Sequence, residues 1–428
     1  MDNASEKPLL KVAIVSDIQG YDYPEDWGMH NLERAFEVLA PMEPDVIMNA
    51  GDLGDHGDDN SPTRYYMGLC RKHFGARQPV QVTCLGNHDY WAHVPDRTQE
   101  DCLRDFTAAI GDPPEQVVHK VVGGYDFIAF SSDNKHSYDA DDCAKLLPAL
   151  DAAVARDPSR PIFVVTHFHP KDTVDASHGG SGRPALREIL NRYPQVVSFS
   201  GHTHSPLHDE RCIWQGEFTA VNTSGLSYAC VPERCVNNCG PIPPFAREAL
   251  YFMFMEVYED RLVIRRFNAE DQVEIKPDRR WTVALPYDPS KAVYTDARAD
   301  EREAPAFDPG TQMYFRYDYG YVYFVFDQAK HDDFVHFYRL ALTELDADGN
   351  AVETKSYRYI GNFYRLERNR DRRLVLKAPP FSMEAGKRYR CEMFPVESFG
   401  KEGEPLVITV TVRHSYTFNN LKDNGPQE

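Results

Sequence analysis

Five short apolar runs in the first half of the chain each end on residues that can bind a metal or transfer a proton. The runs are rich in β-branched residues and alternate with helix-like stretches, a pattern typical of a sheet flanked by helices. The residues that follow the runs are Asp17 and Gln19, Asp52 and Asp55, Asn87, His88 and Asp89, His167 and His169, and His202 and His204. Because open α/β sheets bind ligands at the carboxyl ends of their strands, we expect these clusters to meet at one edge.

Each of these residues also has an ordinary interpretation when it is taken alone. A carboxylate after a strand is often a helix cap, and a single histidine is more often packed than a ligand. Five clusters at equivalent strand ends favour a shared site instead. Their oxygen and imidazole ligands, without cysteine, suit Mn, Fe, Zn, Ni or Mg. Two such ions would hold the attacking and leaving oxygens of a displacement at phosphorus.

The periodicity predicts two domains with different architectures. The predicted α/β strands are 11–15, 45–49, 80–84, 125–130, 161–166 and 196–200, the helices are 31–40, 141–155 and 183–193, and further strands are 217–223, 250–260 and 261–268. This first domain covers residues 1–288 and is followed by a polar linker, 289–309. Residues 310–415 contain only strand-like runs and predict a β-sandwich, and 416–428 form a tail that we expect to be disordered.

The order of the motifs D-x-Q, G-D-x-x-D, G-N-H-D, H and G-H-x-H resembles the calcineurin-like metallophosphoesterase superfamily, over residues 11 to about 205. The resemblance implies a four-layer α/β (α+β) sandwich around a binuclear metal centre. By resemblance, Asp17, Gln19 and His204 would hold one metal, Asp52 would bridge, and Asn87, His167 and His202 would hold the other. His88 would contact the phosphate or protonate the leaving group, and Asp55 and Asp89 would orient histidines.

Gln19 departs from most members of that superfamily, which have histidine at this position. A glutamine carbonyl is a weaker donor than imidazole, so we expect the first site to bind its metal less tightly or to prefer Mn or Mg over Zn. Mn is the ion that we favour. Glutamine occurs here in branches similar to manganese-dependent ADP-ribose and CDP-alcohol diphosphatases. It does not identify the substrate.

Four residues outside the ligand set are candidates for substrate binding. Tyr21 and Trp27, in the segment after the first motif, could stack on a ring of the substrate, or the segment could pack its own aromatics. His169 could contact substrate or lie idle at the rim. Arg183 follows a Gly/Ser-rich stretch that could cradle a phosphate or serve as a flexible connector.

The C-terminal region resembles a fibronectin type III domain, an immunoglobulin-like fold, in its YRLAL strand and the DADGN turn that follows. Tyr317, Tyr319, Tyr321 and Tyr323 alternate as one face of a strand would. For these tyrosines we favour core packing over a platform that binds a ligand.

The bulk composition excludes some partners. The net charge of −19 disfavours nucleic acid. No apolar stretch reaches the roughly 20 residues that cross a bilayer, and the N-terminus lacks the pattern of an export signal, so we expect a cytoplasmic protein without a membrane partner; an extracytoplasmic location is the alternative. Three nearby cysteines, Cys230, Cys235 and Cys239, could be free thiols, a disulfide or, with a fourth ligand, a zinc site.

Together these features predict hydrolysis of a phosphate monoester, diester or pyrophosphate bond of a small phosphorylated molecule by metal-activated water. The alternative is a metal-dependent binding or scaffold protein whose sandwich mediates the interaction. Neither the substrate nor the oligomeric state follows from the sequence.

Overall fold

The computed structural model describes residues 7–23, 25–132, 138–231, 235–237, 240–318 and 321–413. The chain divides into two compact units. The first contains Met1–Val231 and Ala246–Asp296, and the second contains Pro232–Phe245 and Ala297–Glu428. Pro232–Phe245, which the sequence placed in the first domain, thus groups with the second unit, and the tail predicted to be disordered lies outside the described residues. No helix among the described residues is long and apolar enough to span a membrane.

The first unit contains the α/β elements. Its strands are β1 (Leu10–Val15), β2 (Val46–Asn49), β3 (Val80–Thr83), β4 (Val117–Val122), β5 (Tyr125–Phe130), β6 (Ile162–Thr166), β7 (His169–Pro170), β8 (Gly182–Arg183), β9 (Val196–Ser200), β10 (Ile213–Gln215), β11 (Thr219–Asn222), β12 (Tyr251–Val257), β13 (Arg261–Asn268), β14 (Val273–Ile275) and β15 (Trp281–Ala284). Its helices are α1 (Trp27–Leu39), α2 (Ser61–Phe74), α3 (Gln99–Ile110), α4 (Ala140–Ala144), α5 (Leu147–Arg156) and α6 (Pro184–Leu190).

These strands form two mixed sheets. The first has the order β14-β13-β12-β1-β2-β3, with β15 also paired to β13, and its β1, β2 and β3 run parallel. The second has the order β10-β11-β9-β6-β5-β4, and its β5, β6, β9 and β11 run parallel. The five predicted clusters all follow parallel strands, namely β1, β2 and β3 of the first sheet and β6 and β9 of the second.

Helices cover one face of each sheet. Leu32 and Phe36 of α1 belong to one apolar core with Ile47 of β2, and α5 and α6 belong to another with Ile128 and Val164 of the second sheet. Strand residues that point to the other face, such as Val12, Ile14, Phe127 and Phe163, are also fully buried. Strands buried on both faces are the reason for the continuous apolar runs in the sequence. The predicted four-layer α/β sandwich is confirmed.

Two predicted helices differ from the observed ones: one begins earlier than predicted, and the other is divided into two. The helix predicted from residue 31 begins at Trp27, because the Asp26 side chain accepts a hydrogen bond from Met29 N at 2.8 Å and caps the first turn. The helix predicted over 141–155 is two helices, α4 and α5. Pro148, in the first turn of α5, has no amide hydrogen to continue the preceding helix.

The second unit is a β-sandwich. Its strands are β16 (Tyr314–Asp318), β17 (Tyr321–Asp327), β18 (Phe337–Leu345), β19 (Ala351–Ile360), β20 (Arg373–Lys377), β21 (Arg388–Val396) and β22 (Leu406–Thr411), and α7 (Arg298–Glu301) precedes them. One sheet has the antiparallel order β16-β17-β20 and the other β19-β18-β21-β22. Val236 N donates to Arg358 O of β19 at 2.7 Å, which explains why this short segment groups with the sandwich. The predicted all-β domain is confirmed.

The interpretation of the tyrosine series as core packing was wrong for two of its members. The core face of β17 carries Phe324 and Phe326, which are fully buried, so Tyr321 and Tyr323 lie on the opposite face. The Lys377 ammonium lies 3.1 Å from the Tyr321 ring centre. Tyr317 lies on β16, which pairs with β17 in the antiparallel direction, and Tyr319 lies outside the described residues.

Candidate metal centre

The ends of parallel strands from both sheets converge on a buried group of possible metal ligands. Asp17 follows β1, Asp52 follows β2 and His167 follows β6, and one ligand atom from each lies within 4.8 Å of the others. All three side chains are buried. Carboxylate and imidazole donors that lie this close together, away from water, fit a divalent metal.

The backbone at these strand ends is strained. Asp17, Gln19, Asp52, His202 and His204 have φ angles of 48°, 48°, 51°, 70° and 49°. For non-glycine residues this left-handed conformation costs on the order of 1–3 kcal/mol each and tends to cluster at functional sites. Five such residues among the seven predicted ligands indicate that the fold holds these side chains in fixed directions.

Two histidines are held with the same ring nitrogen directed at the centre. His167 Nδ1 donates to Ala50 O at 2.9 Å, and its Nε2 lies 3.3 Å from Asp52 Oδ2. His204 Nδ1 donates to Tyr228 O at 2.9 Å, and its Nε2 lies 3.1 Å from Asp17 Oδ1. A backbone acceptor on one nitrogen fixes the tautomer that leaves the other free for a metal.

The remaining predicted ligands lie beside these histidines. Asn87 Oδ1 is 3.0 Å from His167 Nε2, and the His202 ring centre is 5.0 Å from that of His167. Gln19 donates its backbone amide to Asp52 O at 2.9 Å, and its side chain hydrogen-bonds Tyr228. The Gln19 side chain thus shares Tyr228 as a neighbour with His204, whose ring stacks on that of Tyr228 with the ring centres 4.5 Å apart.

Asp17 is ionised in this environment. Burial raises the pKa of its carboxyl, but His204, together with the hydrogen bonds that the carboxylate accepts, outweighs burial and lowers the pKa to about 2. The hydroxyl of Ser16 donates to this carboxylate, and His202 N donates to Asp17 Oδ1 at 3.0 Å. A buried carboxylate that keeps its charge is suited to a cation.

Glycines in two of the motifs, Gly86 and Gly201, leave room for the predicted ligands to lie against the backbone. A Cβ at Gly86 would lie 2.1 Å from Asp52 Oδ1 and 2.7 Å from His167 Nδ1. A Cβ at Gly201 would lie 2.3 Å from Asp17 Oδ2. Real Cβ atoms do not come this close to a neighbour, so any side chain at these positions would displace a predicted ligand.

His88 lies beside the cluster with its ring held by Asp55. His88 Nδ1 is 3.1 Å from Asp55 O and 3.3 Å from Asp55 Oδ1, and its Nε2 is 3.9 Å from Asp52 Oδ2. Burial lowers the pKa of His88, but Asp55 and Asp52 outweigh it and raise the pKa to about 9. The Trp91 ring centre lies 4.0 Å from the His88 ring centre. Asp55 is placed to orient His88.

Asp89 has a different role from the histidine-orienting one that we expected. Its carboxylate accepts hydrogen bonds from Gly86 N at 2.8 Å and Gly54 N at 2.9 Å. Burial, followed by repulsion from Asp52, raises the pKa of Asp89 to about 7. Asp89 therefore ties together the two loops that carry Asp52 and Asn87.

His169 does not face the substrate side. Its side chain is fully buried, with Nδ1 2.6 Å from Ser200 Oγ and Nε2 2.7 Å from Thr203 Oγ1. Burial lowers its pKa to about 3, so the ring is neutral. Both ring nitrogens therefore have partners in the interior, a geometry that favours a structural role for His169 over a contact with substrate.

The two aromatic candidates for substrate stacking, Tyr21 and Trp27, form hydrogen bonds within the protein. The hydroxyl of Tyr21 donates to Asp55 Oδ2 at 2.7 Å, and the indole of Trp27 donates to Ser227 O at 3.1 Å. Arg183 differs from both, because it lines the cavity beside the cluster and its guanidinium lies 3.9 Å from the Phe168 ring centre.

That cavity has a volume of about 440 Å³ and opens over the predicted ligands. It is lined by Gln19, Asp52, Asn87, His88, Trp91, Phe168, Gly180, Arg183, His202, His204, Tyr228 and Cys230. Trp91, Phe168, Tyr228 and Cys230 were not predicted as site residues. Trp91 lies two residues after the G-N-H-D motif and could have been found, whereas Tyr228 and Cys230 lie in a loop without such a signal. Cys230 has a free thiol whose pKa is raised to about 12 by burial.

The first unit thus has two sheets between helix layers, with a buried aspartate and histidine cluster at the strand ends. Residues 10–206 match the family described as calcineurin-like phosphoesterase. The match confirms the resemblance for this segment. The sequence matches no curated protein.

The solved structures to which this chain is similar have low sequence identity and low TM-scores. GAP50, described as the anchor in the inner membrane complex of Plasmodium, is 14% identical, with a TM-score of 0.43 over 67% of this chain and 90% of its own. Purple acid phosphatase PPD1 from yellow lupin is 13% identical, with a TM-score of 0.44 over 64% of this chain and 53% of its own. A fibronectin type III domain of human collagen XX is 15% identical, with a TM-score of 0.17 over 26% of this chain and 99% of its own.

Proposed function

We propose that this protein is a hydrolase that uses two divalent metal ions to cleave a phosphate ester or pyrophosphate bond of a small molecule. The observation that carries the proposal is the convergence of Asp17, Asp52 and His167, beside a histidine, His88, that is held by its own carboxylate. A pure binding site would have no need of that second, oriented histidine.

The two ligand groups are those that the resemblance implies, and the short distances among their members support them. Asp17, Gln19 and His204 would hold one ion, and Asn87, His167 and His202 the other. Asp52 lies between the groups and would bridge them. When bound, the ions would supply Lewis acidity and lower the pKa of the water that attacks phosphorus. Manganese is our preferred ion, because the amide of Gln19 favours a harder cation than zinc.

Two further side chains would act on the substrate. His88 turns its Nε2 toward the cavity and would donate a proton to a phosphoryl oxygen or to the leaving oxygen. Arg183, fixed over the Phe168 ring, brings a positive charge to the cavity wall, where it would bind phosphate oxygens. We further propose that the C-terminal sandwich is a fibronectin III-like module, and that the protein works in the cytoplasm on a soluble substrate.

The test is hydrolysis by protein that has been stripped of metal and supplied with Mn, Mg or Zn. The substrates are p-nitrophenyl phosphate, bis-p-nitrophenyl phosphate and ADP-ribose, which represent the three bond types. Asp52→Asn should lose activity, whereas Asp22→Asn, which changes an exposed carboxylate after β1, should keep it. Metal analysis of the folded wild type should find two ions per chain. Two bound ions with no hydrolysis of any substrate would count against the proposal and favour the scaffold interpretation.

A further inference from the structure

The sequence suggested Tyr21 as a residue that stacks on substrate, but its hydroxyl is hydrogen-bonded to a side chain of the protein. The hydroxyl donates to Asp55 Oδ2 at 2.7 Å, and the other oxygen of the same carboxylate lies 3.3 Å from His88 Nδ1. The three side chains thus form a continuous chain from Tyr21 through Asp55 to His88.

The two carboxylate oxygens of Asp55 have different partners, Tyr21 at Oδ2 and His88 at Oδ1. The Asp55 side chain is 38% exposed, so a carboxylate without a second partner could rotate toward water. Two neighbouring rings pack against Tyr21, because its ring centre lies 5.9 Å from that of Tyr23 and 5.1 Å from that of His56. A fixed donor on Oδ2 therefore determines where Oδ1 meets His88.

The pKa values of Tyr21 and Asp55 agree with this hydrogen-bonding pattern. The hydrogen bond to Asp55 raises the pKa of Tyr21 to about 12, so the hydroxyl keeps its proton. The pKa of Asp55 is lowered, chiefly by its hydrogen bond to His88, so it stays a carboxylate that can accept from both neighbours.

We propose that Tyr21 is a positioning residue of the catalytic centre: it fixes Asp55, which in turn holds the His88 ring with Nε2 toward the cavity. The inference rests on the proposed function and assigns Tyr21 no contact with substrate. A substrate contact would change KM, whereas a positioning residue changes the step in which His88 takes part.

The kinetic test compares Tyr21→Phe with Tyr23→Phe, assayed with manganese and whichever substrate the wild type hydrolyses. Removing a residue that orients another typically costs 10–100-fold, and Tyr21 is one step further from the reaction, so kcat should fall about tenfold with KM unchanged. Tyr23→Phe removes a neighbouring hydroxyl and should leave kcat at the wild-type value. In an Asp55→Ala background, Tyr21→Phe should have no further effect.

A spectroscopic readout does not depend on turnover. In metal-free protein the His88 Nδ1–H proton, identified by its loss in His88→Ala, should give a sharp NMR signal in the wild type and in Tyr23→Phe. The signal should broaden through faster exchange with water in Tyr21→Phe. An unchanged signal, or a raised KM with wild-type kcat, would overturn the assignment. Absence of hydrolysis by the wild type would instead count against the proposed function, and the NMR comparison would still decide the role of Tyr21.

Discussion

Glu210 should be one of the main electrostatic supports of the first unit. Its Oε1 accepts hydrogen bonds from Arg266 Nη1 and Lys276 Nζ, each at 3.0 Å, and its Oε2 accepts from Trp281 Nε1 at 2.6 Å. The Arg266 side chain is fully buried. Glu210 lies just before β10 of the second sheet, and Arg266 lies on β13 of the first, so the ion pair links the two sheets.

The size of the effect follows from the pKa. Burial raises the pKa of Glu210, but Arg266 and Lys276 outweigh burial and lower it from 4.5 to about 2. Lowering the pKa from 4.5 to about 2 corresponds to about 3 kcal/mol of stabilisation of the charged form. Glu210→Gln, which leaves the Arg266 charge without its counter-ion, should therefore lower the free energy of unfolding at pH 7 by about 3 kcal/mol.

The pH dependence has a definite sign. A carboxyl with a lowered folded-state pKa stabilises the protein fully above its unfolded-state value of 4.5. That stabilisation is lost as the pH falls from 4.5 toward 2. The difference between wild type and Glu210→Gln should thus be constant from pH 7 to about pH 5.5 and should shrink below about pH 4.5.

Urea denaturation, followed by tryptophan fluorescence at several pH values, measures both quantities. Glu217→Gln is the matched control, because Glu217 is 54% exposed and lies 3.8 Å from Arg187. It should change the free energy of unfolding by no more than about 0.5 kcal/mol. A loss below about 1 kcal/mol for Glu210→Gln, with no pH dependence, would refute the reasoning that assigns the lowered pKa to a stabilising pair.

Three further substitutions test the site and its scaffold. Gly86→Ala should abolish tight metal binding in calorimetry, because its Cβ would lie 2.1 Å from Asp52 Oδ1, whereas Gly179→Ala, with open space at that position, should bind as the wild type does. His169→Ala should lower the free energy of unfolding by about 2–4 kcal/mol in urea denaturation, because Ser200 and Thr203 lose buried partners; an effect on KM alone would restore a substrate role. Asp26→Ala should lower the free energy of unfolding by about 1 kcal/mol through loss of the α1 cap, and a value near zero would show that α1 is held by packing alone.

The sequence by itself determined the layers of the first unit and the place of its site. Strands buried on both faces produce continuous apolar runs, and polar residues directly after parallel strands must meet at one edge. This local information was enough to predict β1, β2, β3, β5, β6 and β9 to within one or two residues and to bring Asp17, Asp52 and His167 into one group. The start of α1 was less well predicted, because Asp26 acts through its side chain rather than through periodicity.

Only the tertiary structure decided what the residues around that group do. Tyr21 and His169 carried the right chemistry for substrate contacts, but their partners, Asp55 and Ser200, are 34 and 31 residues away in the chain. Tyr228 and Cys230 line the cavity from a loop that contains no recognisable motif. Pro232–Phe245 groups with the second unit, which no local sequence pattern predicts. The periodicity of a sequence indicates which face of a helix or strand is buried. The hydrogen-bond partners of loop residues depend instead on long-range packing, which brings distant parts of the chain together.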